Sequence, residues 1–429
     1  MTTCVAASVD IALLGCGNVG TAFARLAGED LSAGGPLKII GALVRDAARP
    51  REEPALPLLT TDPRALLAQR PDVLVELLGG LEPARSLVLE ALERGIPVVT
   101  ANKTLLAHHG AELRNAARLT GTPLLYEAAV LAGVPFLGTF ARRPHAAAAS
   151  SLAGIVNGTT NFVLTRCAAD GCDFAHALDD ARRRGYAEPD PRNDVAGIDA
   201  TEKLAVLLQH FAARSVSPGA IETAGIDSVT GTQTMHAREL GGVIKPVIYA
   251  DWTNEPAAFS GPAFVPSAHV LARVDGVENA LLLGTRHGRL LFQGPGAGPE
   301  VTAATVLDDV REIAASVGHA ARGPLAAEPL AAEPLAAEPA TASLAAPDTE
   351  WMVTLDGAAL PRGVDVADLL ASHGVFAHRV SGRAIHRGRE HQSLLVWPVS
   401  RPQLECALLA LCRASGCSTR ALRALEPVQ

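Results

Sequence analysis

Residues 9–20, "VDIALLGCGNVG", leave the chain little freedom in how it folds. A near-continuous apolar run ends in Gly15-x-Gly17-x-x-Gly20, and a helix-forming stretch at 21–27 follows. A lone pattern of this kind says little. Placed after a strand and before a helix, it reads as a phosphate-binding turn. Gly15 permits the tight turn, Gly17 lets a pyrophosphate approach the backbone, and Gly20 lets the helix pack close to the strand. Asn18 and Val19 lie in the same turn, where the helix N-terminus faces the anion. The first domain is therefore expected to be a doubly wound α/β sheet that binds a dinucleotide.

The rest of the first third agrees. Strands are expected at 9–15, 36–44, 72–80, 96–101 and 122–130, with helices at 84–94 and 105–119. Apolar strands separated by helices mean a parallel sheet covered on both faces. The carboxyl ends of such strands face the ligand crevice. Candidate cofactor contacts there are Gly79, Gly80, Thr100 and Lys103. For Lys103, a plain surface-helix lysine is an equally good reading. After the second strand, an acid would hold the ribose 2′-hydroxyl of NAD and an arginine the 2′-phosphate of NADP. Arg45 comes first, with Arg49 and Arg51 behind it, which favours NADP; Asp46 keeps NAD open.

Residues 136–295 mix strands and helices less regularly, an α+β pattern that marks a second domain. Within it, "VNGTTNF" (156–162) places Asn157, Gly158, Thr159 and Thr160 at a strand-to-helix junction. An ordinary turn with a helix cap explains these residues as well as a polar lining does. Residues 324–340 then repeat PLAAE three times, a linker composition. Beyond it the pattern is strand, helix, strand, strand, helix, strand, the order of a ferredoxin-like module. The expected domains are 1–135 with 296–320, 136–295, a 321–349 linker and a 350–429 module.

Composition excludes several classes. The net charge is −8, so nothing favours nucleic acid. The seven cysteines match no zinc spacing, and their odd count points to reduced thiols and a cytoplasmic location. No apolar stretch is long enough to span a membrane, and the start reads as a first strand rather than a targeting segment.

The segment "GYAEPDPRNDVAGIDATEKL" (185–204) gathers carboxylates around one lysine. Ile198, Leu204, Leu208 and Phe211 fall near one helical face, with Asp199 and Lys203 at i,i+4 beside it. An exposed pair of that kind contributes only about 0.3–0.5 kcal/mol. The preceding loop, with Glu188, Asp190 and Asp194 among prolines, argues for more. Such carboxylates suit an ammonium group. A lysine can serve as the acid/base that hydride transfer to or from an alcohol needs. Asp180, Asp190 and Glu202 read as merely solvated.

These motifs coincide with one family. "GCGNVG", "VVTANK", "YEAAVLAGVP", "GIVNGTTNFVLT", the 185–204 segment and "GPGAG" (294–298) resemble, in order, those of bacterial homoserine dehydrogenases. The resemblance covers roughly 9–318 and implies NAD(P)-dependent interconversion of L-homoserine and L-aspartate 4-semialdehyde, on the route to threonine and methionine. It implies Lys203 as general acid/base, with Asp199 beside it. Glu188 and Asp194 would hold substrate, along with Asn157 and the run from Gly158 to Asn161. Lys103 would contact cofactor and substrate, and the loop at Gly296 would touch the cofactor. It further implies a monovalent cation, in the family usually Na+, at Glu127 and the carbonyls of Val130, Ala132 and Val134. One carboxylate plus carbonyls suits a weakly held hard cation. The tail resembles an ACT domain, a regulatory module, which implies an amino-acid effector such as threonine and a homodimer or higher oligomer. Three departures stand out. Leu131 replaces a usually small residue, 239–247 differs from the usual run, and 359–370 lacks the Pro-Gly signature of ACT domains. Another semialdehyde dehydrogenase, or a silent NAD(P)-binding sensor, would share much of this pattern.

Overall fold

The computed structural model describes residues 8–48, 56–141, 148–253, 256–320, 349–357, 366–386, 388–415 and 417–425. Arg49, Arg51, Cys4, the PLAAE repeat and most of the divergent 359–370 run lie outside these. The chain divides into two compact units: Met1–Ala148 with Ala205–Pro218 and Gly294–Thr341, and Ala149–Leu204 with Gly219–Gln293 and Ala342–Gln429.

The first unit is built on six strands: β1 (Val9–Leu14), β2 (Leu37–Leu43), β3 (Leu59–Thr60), β4 (Val73–Glu76), β5 (Val98–Thr100) and β6 (Leu124–Leu125). Its helices are α1 (Asn18–Ser32), α2 (Pro63–Leu67), α3 (Ala84–Glu93), α4 (Lys103–Thr120) and α5 (Leu137–Ala141). Every strand pair is parallel, in the order β3-β2-β1-β4-β5-β6. This is the dinucleotide-binding order, whose ligand crevice opens where β1 meets β4. Leu14 faces Glu76 across that junction. Ile11, Leu13, Phe23, Val75, Val306 and Val310 share one core, so the helix Pro299–Ala320 completes this unit.

Two local differences from the sequence reading have physical causes. The strand expected at 122–130 stops after two residues and becomes a 3-10 turn at Glu127–Ala129. The Glu127 carboxylate accepts N–H bonds from Phe136, Leu137 and Gly138, which draws the chain out of the sheet. The first helix begins at Asn18 and runs to Ser32, well past 21–27, because Ala22, Phe23, Ala24 and Ala27 keep a buried face.

The second unit contains β7 (Ala149–Ile155), α6 (Gly158–Asp170), α7 (Phe174–Arg183), α8 (Arg192–Val195) and the start of α9 (Ile198–Phe211). After these come β8 (Glu222–Thr223), α10 (Gly231–Glu239), β9 (Gly242–Asp251), β10 (Ala257–Pro266), β11 (Glu278–Thr285) and β12 (Gly288–Pro295). The helix Pro299–Ala320 is α11. The tail follows as β13 (Thr349–Gly357), α12 (Val366–Ala371), β14 (Ala377–Val380), β15 (Ala384–His386), β16 (Arg389–Val399), α13 (Arg401–Ser415) and β17 (Ser418–Ala424).

The tail has the expected strand-helix alternation, with β15 as an addition. It does not stand apart. Its last strand pairs in parallel with β10 through Ala263↔Arg423 and Phe264↔Ala424. One sheet therefore runs β12-β11-β7-β9-β10-β17-β13-β16-β14. Met352, Leu395 and Leu422 from the tail share a core with Phe264, Val163 and Leu164. Ile198, expected on the apolar face of α9, is 45% exposed because it opens the helix, while Leu204 and Leu208 are buried.

Leu164 is fully buried in α6 and Leu119 is 72% exposed in α4. Leu164→Ala should cost about 2–5 kcal/mol in chemical denaturation, from lost transfer energy plus the cavity left behind. Leu119→Ala should leave the midpoint nearly unchanged.

Candidate functional site

In the first unit the three glycines of the turn have separable roles. Gly15 has φ +99°, and a Cβ on it would lie 2.7 Å from the Leu77 carbonyl oxygen. A Cβ on Gly20 would lie 2.3 Å from the Gly15 carbonyl oxygen, so only glycine lets α1 start this close to β1. A Cβ on Gly17 would meet nothing within 4 Å. Gly17 is also the N-cap of α1, and no side chain caps it. Open space in front of uncapped N–H groups at Asn18 and Val19 is what a pyrophosphate needs. Gly79 and Gly80, just past β4, have φ of +72° and +71° with open space beside them. Arg45 is exposed, two residues beyond β2. These residues fit a dinucleotide.

Sequence reasoning missed Glu76, the last residue of β4. It is completely buried. Its carboxylate accepts from Thr100 Oγ1 at 2.6 Å, Asn102 Nδ2 at 3.3 Å and Leu78 N at 2.8 Å. Burial raises its pKa, opposed by these hydrogen bonds. Asn102 also donates to the Gly80 carbonyl and caps α4 by accepting from Leu105 N. One buried acid thus ties the ends of β4 and β5 together and sets the start of α4, where the half-buried Lys103 sits. An acid ending an otherwise apolar strand was the available signal.

The candidate cation loop has a mixed donor set. Both Glu127 oxygens already accept backbone N–H bonds, from Phe136 at 2.6 Å, Leu137 at 2.8 Å and Gly138 at 2.7 Å. The Ala132 carbonyl accepts from Thr305 Oγ1. Among the described residues, no hydrogen bond reaches the Val130 or Val134 carbonyl. What fits a monovalent cation here is the set of carbonyls, with the carboxylate chiefly holding the loop's shape. Asp309 on α11 accepts from Glu127 N at 3.0 Å. Burial is the main reason its pKa is pushed up to about 8, with the Glu127 charge adding to it.

In the second unit, the residues singled out around Lys203 meet in one network. Asn157 caps α6, its Oδ1 accepting from Thr160 N at 2.9 Å. Its Nδ2 donates to Asp194 Oδ1 and Asp199 Oδ2, both at 2.8 Å. Lys203 Nζ donates to Asp199 Oδ2 at 2.9 Å and to the Val156 carbonyl at 2.7 Å. Lys203 and Asp199 are 8% and 7% exposed. The pair is therefore not the surface i,i+4 bridge that helical spacing alone would suggest. An ammonium carries three donors, and among the described residues two of those on Lys203 are used.

The other candidates separate. Thr159 Oγ1 donates to the Tyr186 carbonyl at 2.6 Å, joining α6 to the loop that carries Glu188. Glu188 itself is exposed. Gly158 is required by close approach, since a Cβ would lie 2.8 Å from the Val277 carbonyl oxygen. Asn161, the last residue of the motif, braces the fold, its Nδ2 donating to the carbonyls of Val274 and Glu278. Buried Lys245, in the divergent 239–247 run, donates to the Val274 carbonyl and to Asp275. Of the acids read as solvated, Asp180 and Glu202 are buried instead, at 8% and 7% exposure. Asp180 is neutralised by Arg166, Arg183 and Arg184. Asp190 is exposed and pairs with Arg192. A cavity of about 240 Å³, lined by Tyr249, Asp251, Phe259, Arg289 and Arg423 among others, includes none of the candidate site residues.

Comparison with known proteins gives a consistent result. Residues 15–127 match the family model for the homoserine dehydrogenase NAD-binding domain, and 135–310 match the model for homoserine dehydrogenase. The chain is 40% identical over 330 residues to a homoserine dehydrogenase of Corynebacterium glutamicum, covering 74% of each chain. Against the Mycobacterium tuberculosis homoserine dehydrogenase it is 39% identical, again over 74% of each. The crystal structure of a homoserine dehydrogenase from Thiobacillus denitrificans superimposes with a TM-score of 0.84 at 30% identity, covering 98% of this chain and 99% of that one. A hyperthermophilic archaeal homoserine dehydrogenase in complex with NADPH gives 0.60 at 26% identity, over 71% and 97%.

Three variants test these sites. Gly20→Ala should lower the melting temperature and abolish saturable dinucleotide binding, read by fluorescence titration. Gly17→Ala should weaken binding while leaving the melt unchanged, because its Cβ collides only with a ligand. Asp309 binds its proton up to about pH 8 when folded, against about 3.9 in an unfolded chain. The folded state holds the extra proton between those values, so stability falls as pH rises through that window. Asp309→Asn keeps the acceptor and removes the titration. Its stability should gain on the parent by about 1 kcal/mol or more between pH 5 and 8, checked by denaturation at each pH.

Proposed function

Because the chain belongs to the homoserine dehydrogenase family, it is an NAD(P)-dependent oxidoreductase interconverting L-homoserine and L-aspartate 4-semialdehyde, and we propose that Lys203 moves the proton in that reaction. The observation that carries this assignment is the buried Lys203 ammonium, fixed by Asp199 and the Val156 carbonyl with one donor left over.

The dinucleotide, when bound, supplies or accepts the hydride. In the reductive direction Lys203 donates to the aldehyde oxygen, stabilises the growing alkoxide by its charge, and then releases a proton to it. In the oxidative direction the same amine takes the hydroxyl proton. Asp199 does no proton transfer of its own. It fixes Nζ and offsets the cost of holding a buried cation. Asp194 and Glu188 take the substrate's ammonium end, which contributes orientation. Asn157 holds Asp194 and Asp199 at a set distance, and Thr159 and Thr160 fix the neighbouring loop and helix start.

On the nucleotide side, Gly15, Gly17, Asn18, Val19 and Gly20 cradle the pyrophosphate, and Gly79, Gly80, Thr100, Lys103 and Gly296 line the rest of the cofactor site. Arg45 favours the 2′-phosphate and hence NADP. The carbonyls of Val130, Ala132 and Val134 hold a monovalent cation, Na+ by preference, in a loop shaped by Glu127. The tail is an ACT-like module that takes an amino-acid effector such as threonine. The enzyme works as a homodimer or larger assembly in the cytoplasm.

Lys203→Met should lower kcat by about 10²–10⁴-fold, with the homoserine KM changed only a few-fold. A kcat near that of the parent would remove Lys203 from the mechanism. Initial rates of NADP and NAD reduction with homoserine measure both this and the cofactor preference.

A further inference from the structure

The short strand β8 carries two adjacent side chains that do unrelated-looking things. Glu222 is gripped by the tail. Its Oε1 accepts from Arg401 Nη1 at 2.5 Å and its Oε2 from Arg423 Nη2 at 2.8 Å. Arg423 is 7% exposed and lies against two aromatic faces, 4.7 Å from the Trp351 ring centre and 5.3 Å from that of Phe259. This clamp is set in place by sheet pairing. Phe259 and Ser260 of β10 face Glu222 and Thr223 on one side, while Ala263 and Phe264 face Arg423 and Ala424 of β17.

Thr223 holds the other end. Its hydroxyl shares a 2.8 Å hydrogen bond with Thr201 Oγ1, and Thr201 also donates to the Gly197 carbonyl at 2.8 Å. A Cβ on Gly197 would lie 3.1 Å from the Ala224 carbonyl oxygen and 3.2 Å from Thr223 Cγ2. β8 therefore packs directly on the first turn of α9. That turn carries Asp199, and Lys203 is one turn on. Successive residues of a strand point to opposite faces, so a two-residue strand can face the tail with one side chain and the helix with the next.

We propose that Glu222 is a positioning residue: through β8, its clamp on Arg401 and Arg423 makes the C-terminal module set the placement of the helix turn that bears Asp199 and Lys203. The physical basis is the cost of leaving Arg423 buried and unpaired. With Glu222 bonded to both arginines, β8 is tied to the tail. Without the Glu222 charge the tail no longer fixes it, and Thr223 transmits the slack to Thr201. Displacements of about 1 Å at a reacting centre can cost on the order of 100-fold in rate, so a fraction of that movement is measurable. The idea rests on Lys203 being the acid/base.

The test uses the full chain with E222Q, T223V and the double variant, reading kcat, both KM values and the thermal melt. Each single substitution should lower kcat by about threefold or more and leave the cofactor KM within about twofold. The double variant should be no slower than the slower single, because both break one path. A purely structural role would lower the melt and leave kcat per folded enzyme unchanged. Unchanged kcat in both singles, or losses that multiply in the double, would overturn the proposal. R401M removes only the more exposed arm of the clamp and repeats the measurement, with the same outcomes, if E222Q fails to fold. If K203M keeps near-parent kcat, the premise has failed; if K203M is inactive while E222Q and T223V are unaltered, only this inference has.

Discussion

The amide of Asn157 is the interaction on which the network around Lys203 hangs. Its oxygen caps α6 and its nitrogen bridges Asp194 and Asp199. Asp199 holds Lys203, and Lys203 reaches back to the carbonyl of Val156, the residue before Asn157. The bonds close a ring between the end of β7, the start of α6 and the first turns of α9. The half-buried Asp194 and the buried Asp199 and Lys203 are thereby brought together, an arrangement that contributes little stability once desolvation is counted. The geometry makes sense as preorganisation. In the role proposed for Lys203, a reacting oxygen would find a donor already aimed, with nothing to reorient at the moment of transfer.

Glu76 does comparable work in the nucleotide unit with no reacting group of its own. A buried acid with three donors fixes Leu78, Thr100 and Asn102 at once, at the strand junction where the crevice opens. The glycines after β1 supply the space and Glu76 supplies the rigidity. Both depend on Leu14 and Glu76 lying side by side in the parallel sheet.

The sequence made much of this legible, for reasons of period and steric exclusion. Strands β1, β2, β4 and β5 read out because parallel strands buried on both faces are nearly continuous in apolar residues. The glycine turn read out because each glycine has a steric reason to be there. Lys203 and Asp199 were visible as an i,i+4 pair, but their burial was not, since helical spacing does not say what covers a face. Glu76 and Lys245 were passed over for the same reason: a lone charge in an apolar run gives no hint of partners that are distant in sequence. Asn161 read as part of a substrate motif, yet its amide is spent on Val274 and Glu278, more than a hundred residues away. The parallel pairing of β17 with β10 could not be read either. Register between distant strands depends on shape, and the PLAAE repeat between them suggested separation.

Leu131 shows how a departure from the family pattern can be compatible with the same turn. Its φ is +52°, in the left-handed region, where a residue with a side chain is about 1–2 kcal/mol worse off than glycine. Its carbonyl accepts from Val134 N at 2.7 Å, so the turn cannot relax that angle without losing the bond. The side chain, however, is 1% exposed. Burying a leucine returns about 1.5–3 kcal/mol, enough to offset the backbone term. Glycine there would relieve the strain and lose the burial. The two solutions are close in energy, which is why the loop can keep its shape with a large residue at this turn.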